Sequence, residues 1–246
     1  MTAGGGPGLG LSRAAKDAAR VDRTDGVDRR RAGATAGADV VVRGLGLSRY
    51  DATWRAMQSF TAARNAASAD EIWLTEHPPV YTLGLAGRPE HLLRDNGIPL
   101  LKVDRGGQIT YHGPGQLVLY VLVDLARRRL GVRALVRTLE SCVIEFLETC
   151  GVSAHTRTGA PGVYVALPAG EAKIAALGLK IKNGCSYHGL ALNIDMDLTP
   201  FADIDPCGYP GLAVTQLKDL GVRRSVEDVG SVLAPLLASS LPARSS

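Results

Sequence analysis

Lys173-Ile-Ala-Ala-Leu-Gly-Leu-Lys-Ile-Lys-Asn-Gly-Cys-Ser-Tyr-His-Gly-Leu-Ala-Leu-Asn-Ile-Asp195 contains two strand-like runs joined by Asn183-Gly184, and the fold is read outward from it. That dipeptide accepts the two positive φ angles of a tight hairpin turn. A two-residue turn there pairs positions whose numbers add to 367. Side chains alternate along each strand, so Ala175, Leu177, Leu179 and Ile181 fall beside Leu192, Leu190, His188 and Ser186 on an apolar, core-facing side. The other side sets Ala176 against Ala191 and Gly178 against Gly189, a floor of nearly bare backbone on which a ligand chain can lie. Lys180 and Lys182 share the floor side near the turn. By parity Lys173 belongs to the apolar set, so a twist or bulge is needed before it can serve a ligand on the floor. A lysine in apolar surroundings snorkels to water or has its pKa lowered, whereas one at a frayed strand end does neither.

Working outward, Val40-Val41-Val42 is a short β-branched strand. Ser48-Arg49-Tyr50-Asp51 has the spacing of a capping box for a helix through Trp54, Met57 and Ala62. Further strands are expected over Glu71 to Thr75, Val80 to Leu83, Pro99 to Val103 and Leu117 to Leu125, and a second helix over Val132 to Cys150. Strands and helices mix without strict alternation, which predicts an α+β fold rather than a doubly wound sheet.

The 246 residues suit one domain. Residues 1 to 38 are rich in Gly, Ala, Asp and Arg and carry too little apolar surface to offset ordering, so they are expected to be a disordered tail before a single domain over 39–246. Gly4-Gly5-Gly6-Pro7-Gly8 follows no strand and is not read as a phosphate loop. The net charge of +4 is modest, and many arginines fall in two runs, Arg29-Arg30-Arg31 and Arg127-Arg128-Arg129, without interleaved aromatics. That pattern argues against nucleic acid and is compatible with an acidic protein partner. No segment has the apolar length to span a bilayer or the apolar block of a secretory leader, so a cytoplasmic protein is expected. Cys142, Cys150, Cys185 and Cys207 form no C-x-x-C pair and read as free thiols.

Cys207 lies in Asp205-Pro206-Cys207-Gly208-Tyr209-Pro210-Gly211, where prolines stiffen the backbone and glycines permit close approach. A displayed thiol becomes a nucleophile when its pKa is lowered, for which a nearby lysine suffices; by spacing alone an inert packed cysteine is the commoner case. The helical Cys142 and Cys150 and the turn-side Cys185 read as structural. Arg105 to Gln116 has four glycines in twelve residues. Such a loop can offer backbone N–H groups to an oxyanion, with Gln108, Tyr111 and His112 as polar walls, or it is an ordinary surface loop. His112, His188 and Cys207 are too widely and irregularly spaced for a metal site, and none is expected.

Taken together, Arg105-Gly-Gly-Gln-Ile-Thr-Tyr-His-Gly-Pro-Gly-Gln116, Lys173 with its following strand, Cys185-Ser-Tyr-His-Gly-Leu-Ala-Leu-Asn193 and Pro206-Cys-Gly-Tyr209 resemble, in this order, the signature of the lipoyl(octanoyl) transferases, the lipoate biosynthesis protein B family. The likeness covers about residues 40 to 235. It implies a mixed sheet flanked by helices, similar to the catalytic domain of biotin and lipoate protein ligases. It also implies transfer of octanoyl, or lipoyl, from acyl carrier protein to lipoyl domains of 2-oxoacid dehydrogenase E2 subunits and glycine cleavage H protein, with no cofactor. Cys207 matches the family's acyl-accepting cysteine and Lys173 the lysine that lowers its pKa. The substrate-binding segments map onto Arg105, Gly106, Gly107, Gln108, Ile109, Thr110, Tyr111 and His112, onto Ala176, Leu177 and Gly178, and onto Gly189, Leu190 and Ala191, with His188 as an auxiliary residue. Asp205 departs from the family, where asparagine is common. The rival readings are an ATP-dependent lipoate or biotin ligase on the same fold, a thioesterase, and a non-catalytic acyl-carrier-binding protein.

Overall fold

A computed structural model of the chain describes residue 1 and residues 40–205 and 211–244. The expected tail and Cys207 itself lie outside the described residues. In chain order the elements are β1 (Val40–Leu47), α1 (Tyr50–Ala63), β2 (Asp70–Glu76), β3 (Val80–Leu83), β4 (Leu100–Lys102), β5 (Ile109–His112), β6 (Gln116–Leu122), α2 (Val132–Thr149), β7 (Ala154–Thr156), β8 (Gly162–Leu167), β9 (Gly170–Lys182), β10 (Cys185–Asn193), β11 (Ala213–Val214) and α3 (Val226–Ser240). The large sheet runs β1-β2-β6-β10-β9-β8-β7, with β11 pairing β9, and a small sheet runs β4-β3-β5. Parallel pairs (β1 with β2, β11 with β9, β3 with β4) mix with antiparallel ones, as α+β predicts.

The central hairpin has the expected register, from Cys185 opposite Lys182 to Leu192 opposite Ala175. Asn183 and Gly184 take φ of 50° and 74°, the pair of left-handed values that the turn requires. Each face of the large sheet carries its own layer. Leu117, Leu119 and Val121 of β6 join Leu190 and Leu192 under α2 and α3, whereas Val118, Tyr120 and Leu122 join Tyr187 and Ala191 against Met57 of α1.

Two local expectations are corrected. Ser48 does not cap α1; Arg49 occupies the cap position without a side-chain bond, and the Ser48 hydroxyl instead meets the hydroxyls of Thr53 and Thr75. The reciprocal capping box belongs to Ser225 and Asp228 at α3, a helix absent from the elements expected above although Val229, Leu233 and Leu237 recur at helical spacing. Two arginines of the second run converge on one carboxylate: Arg128 Nε lies 2.6 Å and Arg127 Nη2 2.9 Å from that of Asp70. Arg64 also contacts Asp70, which is fully buried. No helix among the described residues is long and apolar enough to cross a membrane.

Asp70 holds the ends of β2, α1 and the 124–128 turn together, since the Asp124 N–H also donates to it at 2.9 Å. Burial alone would raise its carboxyl pKa, but that N–H and the Arg128 and Arg64 guanidinium groups hold it below 3.8. Its stabilising effect is therefore complete above the ordinary value and is lost as pH falls through the depressed folded one. Asp70→Asn leaves buried guanidinium groups without their counter-charge and should cost about 3–5 kcal/mol at pH 7, read from denaturant midpoints. The gap between variant and parent should narrow below pH 4.

Candidate active site

Strict alternation would turn Lys173 and His188 toward the core under α2 and α3, and both are found on the other face. Lys173 is redirected by a bulge. Between Val163 and Tyr164 of β8 the register on β9 steps from Ala175 to Lys173, leaving Ile174 as an extra residue. Ile174 and Ala175 consequently both enter the core, and Lys173, opposite Tyr164, shares the face of Ala176 and Gly178. Its buried ammonium donates to Pro161 O at 3.2 Å and lies 5.0 Å from the Tyr164 ring centroid. Gly162 makes room for the lysine stem: a Cβ there would be 3.0 Å from Lys173 Cε. The bulge leaves no periodic signature in the sequence, so this glycine was not singled out.

His188 is redirected by its own backbone, with φ of 60°. A positive φ at a non-glycine residue carries local strain and persists where contacts over-determine it. Here the ring stacks on Tyr187 at 5.1 Å, and Nε2 lies 2.9 Å from Asp104 Oδ1. Asp104, directly before the glycine-rich loop, also accepts from Trp54 Nε1 at 2.7 Å, Gln58 Nε2 at 3.2 Å and the Tyr187 hydroxyl. One carboxylate thus ties the loop to α1 and β10. Burial works to raise its pKa, but the four donors prevail and hold it well below the usual carboxylate range. Burial lowers the pKa of His188 in spite of Asp104. The neutral ring donates from Nε2, leaving Nδ1 3.5 Å from the Tyr50 hydroxyl.

These elements enclose a cavity of about 50 Å³. Its floor is Ala176, Leu177 and Gly178 with Gly189, Leu190 and Ala191; Arg105, Gly107, Gln108, Ile109, Thr110 and His112 form the other wall, and His188 borders it. Tyr50, Val118 and Tyr120 also line it and were not anticipated; for the latter two, Leu117 to Val123 shows no polar–apolar alternation that marks a favoured face. Two members of the glycine-rich segment play other parts. Tyr111 is no polar wall: it is buried in the small sheet's own core, edge-on to Phe201 at 5.5 Å. The Gly106 N–H donates to Leu179 O at 2.8 Å and is not available to an oxyanion.

Polar atoms in the cavity wall largely bond to one another. Tyr120 donates to His77 Nε2 at 2.6 Å, and His77 Nδ1 donates to Ser48 O at 2.7 Å. Burial pushes the His77 pKa down to about 4 and that of Tyr50 up to about 12, and lowers His112 far below its usual value. The Arg105 guanidinium donates to the Thr82 carbonyl at 2.7 Å and to Gly106 O at 2.9 Å. Gln108 Oε1 is buried with no donor among the described residues. Cys142 and Cys185 are buried away from this site, and burial raises both thiol pKa values.

Residues 49–237 match the sequence model of the lipoyl protein ligase A/B catalytic domain. The chain is 59% identical over 201 residues to the octanoyltransferase of Dechloromonas aromatica, covering 82% of this chain and 96% of that protein. It is 60% identical over 202 residues to the octanoyltransferase of Thiobacillus denitrificans, with coverages of 82% and 91%. A solved structure of lipoate-protein ligase A bound with ATP is similar at a TM-score of 0.65, with 18% identity over 81% of this chain and 84% of that one. The bipartite lipoate protein ligase of Thermoplasma acidophilum gives 0.62 and 18%, with coverages of 81% and 82%. At such identity these two structures speak to the fold alone.

The two floor glycines differ in what a side chain would meet. A Cβ on Gly189 would lie 1.9 Å from Leu119 O in the adjacent strand, and one on Gly178 would lie 2.9 Å from Gly106 O and 3.1 Å from Arg105 Cδ in the loop. Gly189→Ala should therefore destabilise the fold by more than about 3 kcal/mol, and Gly178→Ala by about 1–3 kcal/mol because the loop can yield. Equal unfolding midpoints for the two variants would contradict this placement.

Proposed function

Because the chain belongs to the lipoyl protein ligase A/B catalytic domain family, we propose that it transfers octanoyl from acyl carrier protein to a lysine of lipoyl domains through a thioester on Cys207. It is an acyltransferase of protein lipoylation, as its octanoyltransferase relatives support. The acceptors in this reading are the lipoyl domains of 2-oxoacid dehydrogenase E2 subunits and of glycine cleavage H protein.

The observation that carries the reading is the Ile174 bulge, which turns a buried lysine onto the face of the small-residue floor. The chain around Cys207 also leads to that lysine. Ala213 and Val214 pair with Ala172 and Lys173, and Thr215 N–H donates to Lys173 O at 3.0 Å. On the other side of the 206–210 segment, Asp205 N–H donates to His91 O at 2.9 Å. Cys207 stands six positions before Ala213, within a few residues' reach of Lys173.

A positive charge beside Cys207 favours the thiolate. The thiolate attacks the carbonyl carbon of the carrier thioester; the new S–C bond replaces the one to the carrier, whose sulfur leaves as a thiol after taking a proton from the Lys173 ammonium or from solvent. The ε-amine of the acceptor lysine then attacks the acyl-enzyme. A C–N bond forms, the Cys207 S–C bond breaks, and the amine proton passes to Lys173 or to solvent. An amide lies below a thioester in free energy, so no nucleotide is consumed. His188, with one ring nitrogen on Asp104 and the other facing Tyr50, orients the pocket wall rather than moving protons.

Intact-mass measurement after mixing with octanoyl-acyl carrier protein should show one octanoyl adduct, which Cys207→Ser abolishes. Lys173→Ala should slow adduct formation about a hundredfold. Lys173→Arg keeps the charge without a transferable proton, so an adduct that forms but does not pass to the lipoyl domain separates proton transfer from electrostatic activation. An adduct on the serine variant would move the acyl-accepting group away from the Cys207 thiol, and acylation from free octanoate that needs ATP would replace this reading with the ligase chemistry.

A further inference from the structure

Two rows of paired residues run across the large sheet beneath the cavity. One is Ala176, Ala191, Val118, and the other is Gly178, Gly189, Tyr120, on β9, β10 and β6 in turn. In both rows the side chains are small on β9 and β10 and become bulky on β6. The glycine row is partly covered, since the space above Gly178 holds Gly106 O and Arg105 Cδ. The alanine row, from Ala176 and Ala191 to Val118, lines the cavity. It begins on β9, the strand that carries Lys173, and it stops at Val118 after two inter-strand spacings, roughly 10 Å.

The stop is rigid. Val118 is 2% exposed and packs with Met57 and Trp73, so it cannot swing aside. Beside it, Tyr120 is fixed by His77, and Tyr50 lies against His77 and His112 at ring distances of 4.9 and 5.4 Å. Because polar atoms of this wall are hydrogen-bonded among themselves, it meets a methyl terminus without leaving a donor or acceptor stranded.

We propose that Val118, backed by Tyr120, is the end wall that sets the acyl-chain length, with the chain lying across the strands over Ala176 and Ala191 and its methyl end against Val118. The proposal rests on the acyl-transfer reading. It names the residue that limits the substrate, and volume at position 118 governs selectivity in both directions.

The test is kcat/KM for hexanoyl, octanoyl, decanoyl and dodecanoyl thioesters of acyl carrier protein, with a lipoyl domain as acceptor. Val118→Ala should raise the decanoyl-to-octanoyl ratio about tenfold, and Val118→Leu should shift the preference toward hexanoyl by a similar factor, as expected for one methylene in an apolar pocket. Val121→Ala removes comparable volume from the same strand on the opposite face and should leave the ratios unchanged. A structural effect alone would lower all four rates together. If both position-118 variants are folded and keep the parent's ratios within twofold, the end wall lies elsewhere and the proposal fails. If the parent itself transfers none of these chains, the acyl-transfer reading fails instead.

Discussion

The period of two along the β9–β10 hairpin is the constraint on which the molecule depends. The large sheet is covered on both faces, by α2 and α3 on one side and by α1 and the small sheet's wall on the other, so every residue of the hairpin must belong to one layer or the other. A slip by one residue would exchange the leucines of the core for the glycines of the floor. The turn at Asn183-Gly184 prevents that slip. Within this register the two departures from alternation, the extra residue Ile174 and the positive φ of His188, each deliver one polar side chain to the cavity face while its neighbours stay in the core.

The surface that lines the cavity is mostly apolar, and the polar atoms around it, Gln108 Oε1 apart, are largely engaged by protein partners. His77 and His112 are kept neutral by burial, and His188 by burial set against Asp104. The hydroxyl of Tyr120 is absorbed by a histidine nitrogen. Asp104 does most to hold this arrangement, since its donors come from α1 and β10 while its own backbone leads into the loop that walls the cavity. Asp70, at the start of β2, performs an analogous task with guanidinium groups, and there the charges serve packing rather than chemistry.

Much of this was legible because short-range rules apply to it. The turn type, the pairing of Gly178 with Gly189 and the presence of α1, α2 and most strands follow from residues near one another in the chain. What escaped depends on distant partners. Ser48 has the spacing of a cap, but hydroxyls of Thr53 and Thr75 compete for it; Tyr111 looks like a polar wall of the loop until Phe201 packs against it. Parity also assigned Lys173 and His188 to the wrong face, since an inserted residue shifts the alternation beyond it and one left-handed φ turns a single side chain across the sheet.

By itself the sequence determined the register of the central hairpin, the small-residue floor and the chemical signature in its four ordered blocks, because turn chemistry and side-chain alternation act over a few residues. Only the tertiary structure decided which face each polar residue meets, that Val118 follows Ala176 and Ala191 in one row across the sheet, and that Lys173 lies beside the strand that follows Cys207. Those outcomes depend on the strand order β6-β10-β9-β8 and on one bulge, and both arise from packing between segments far apart in the chain.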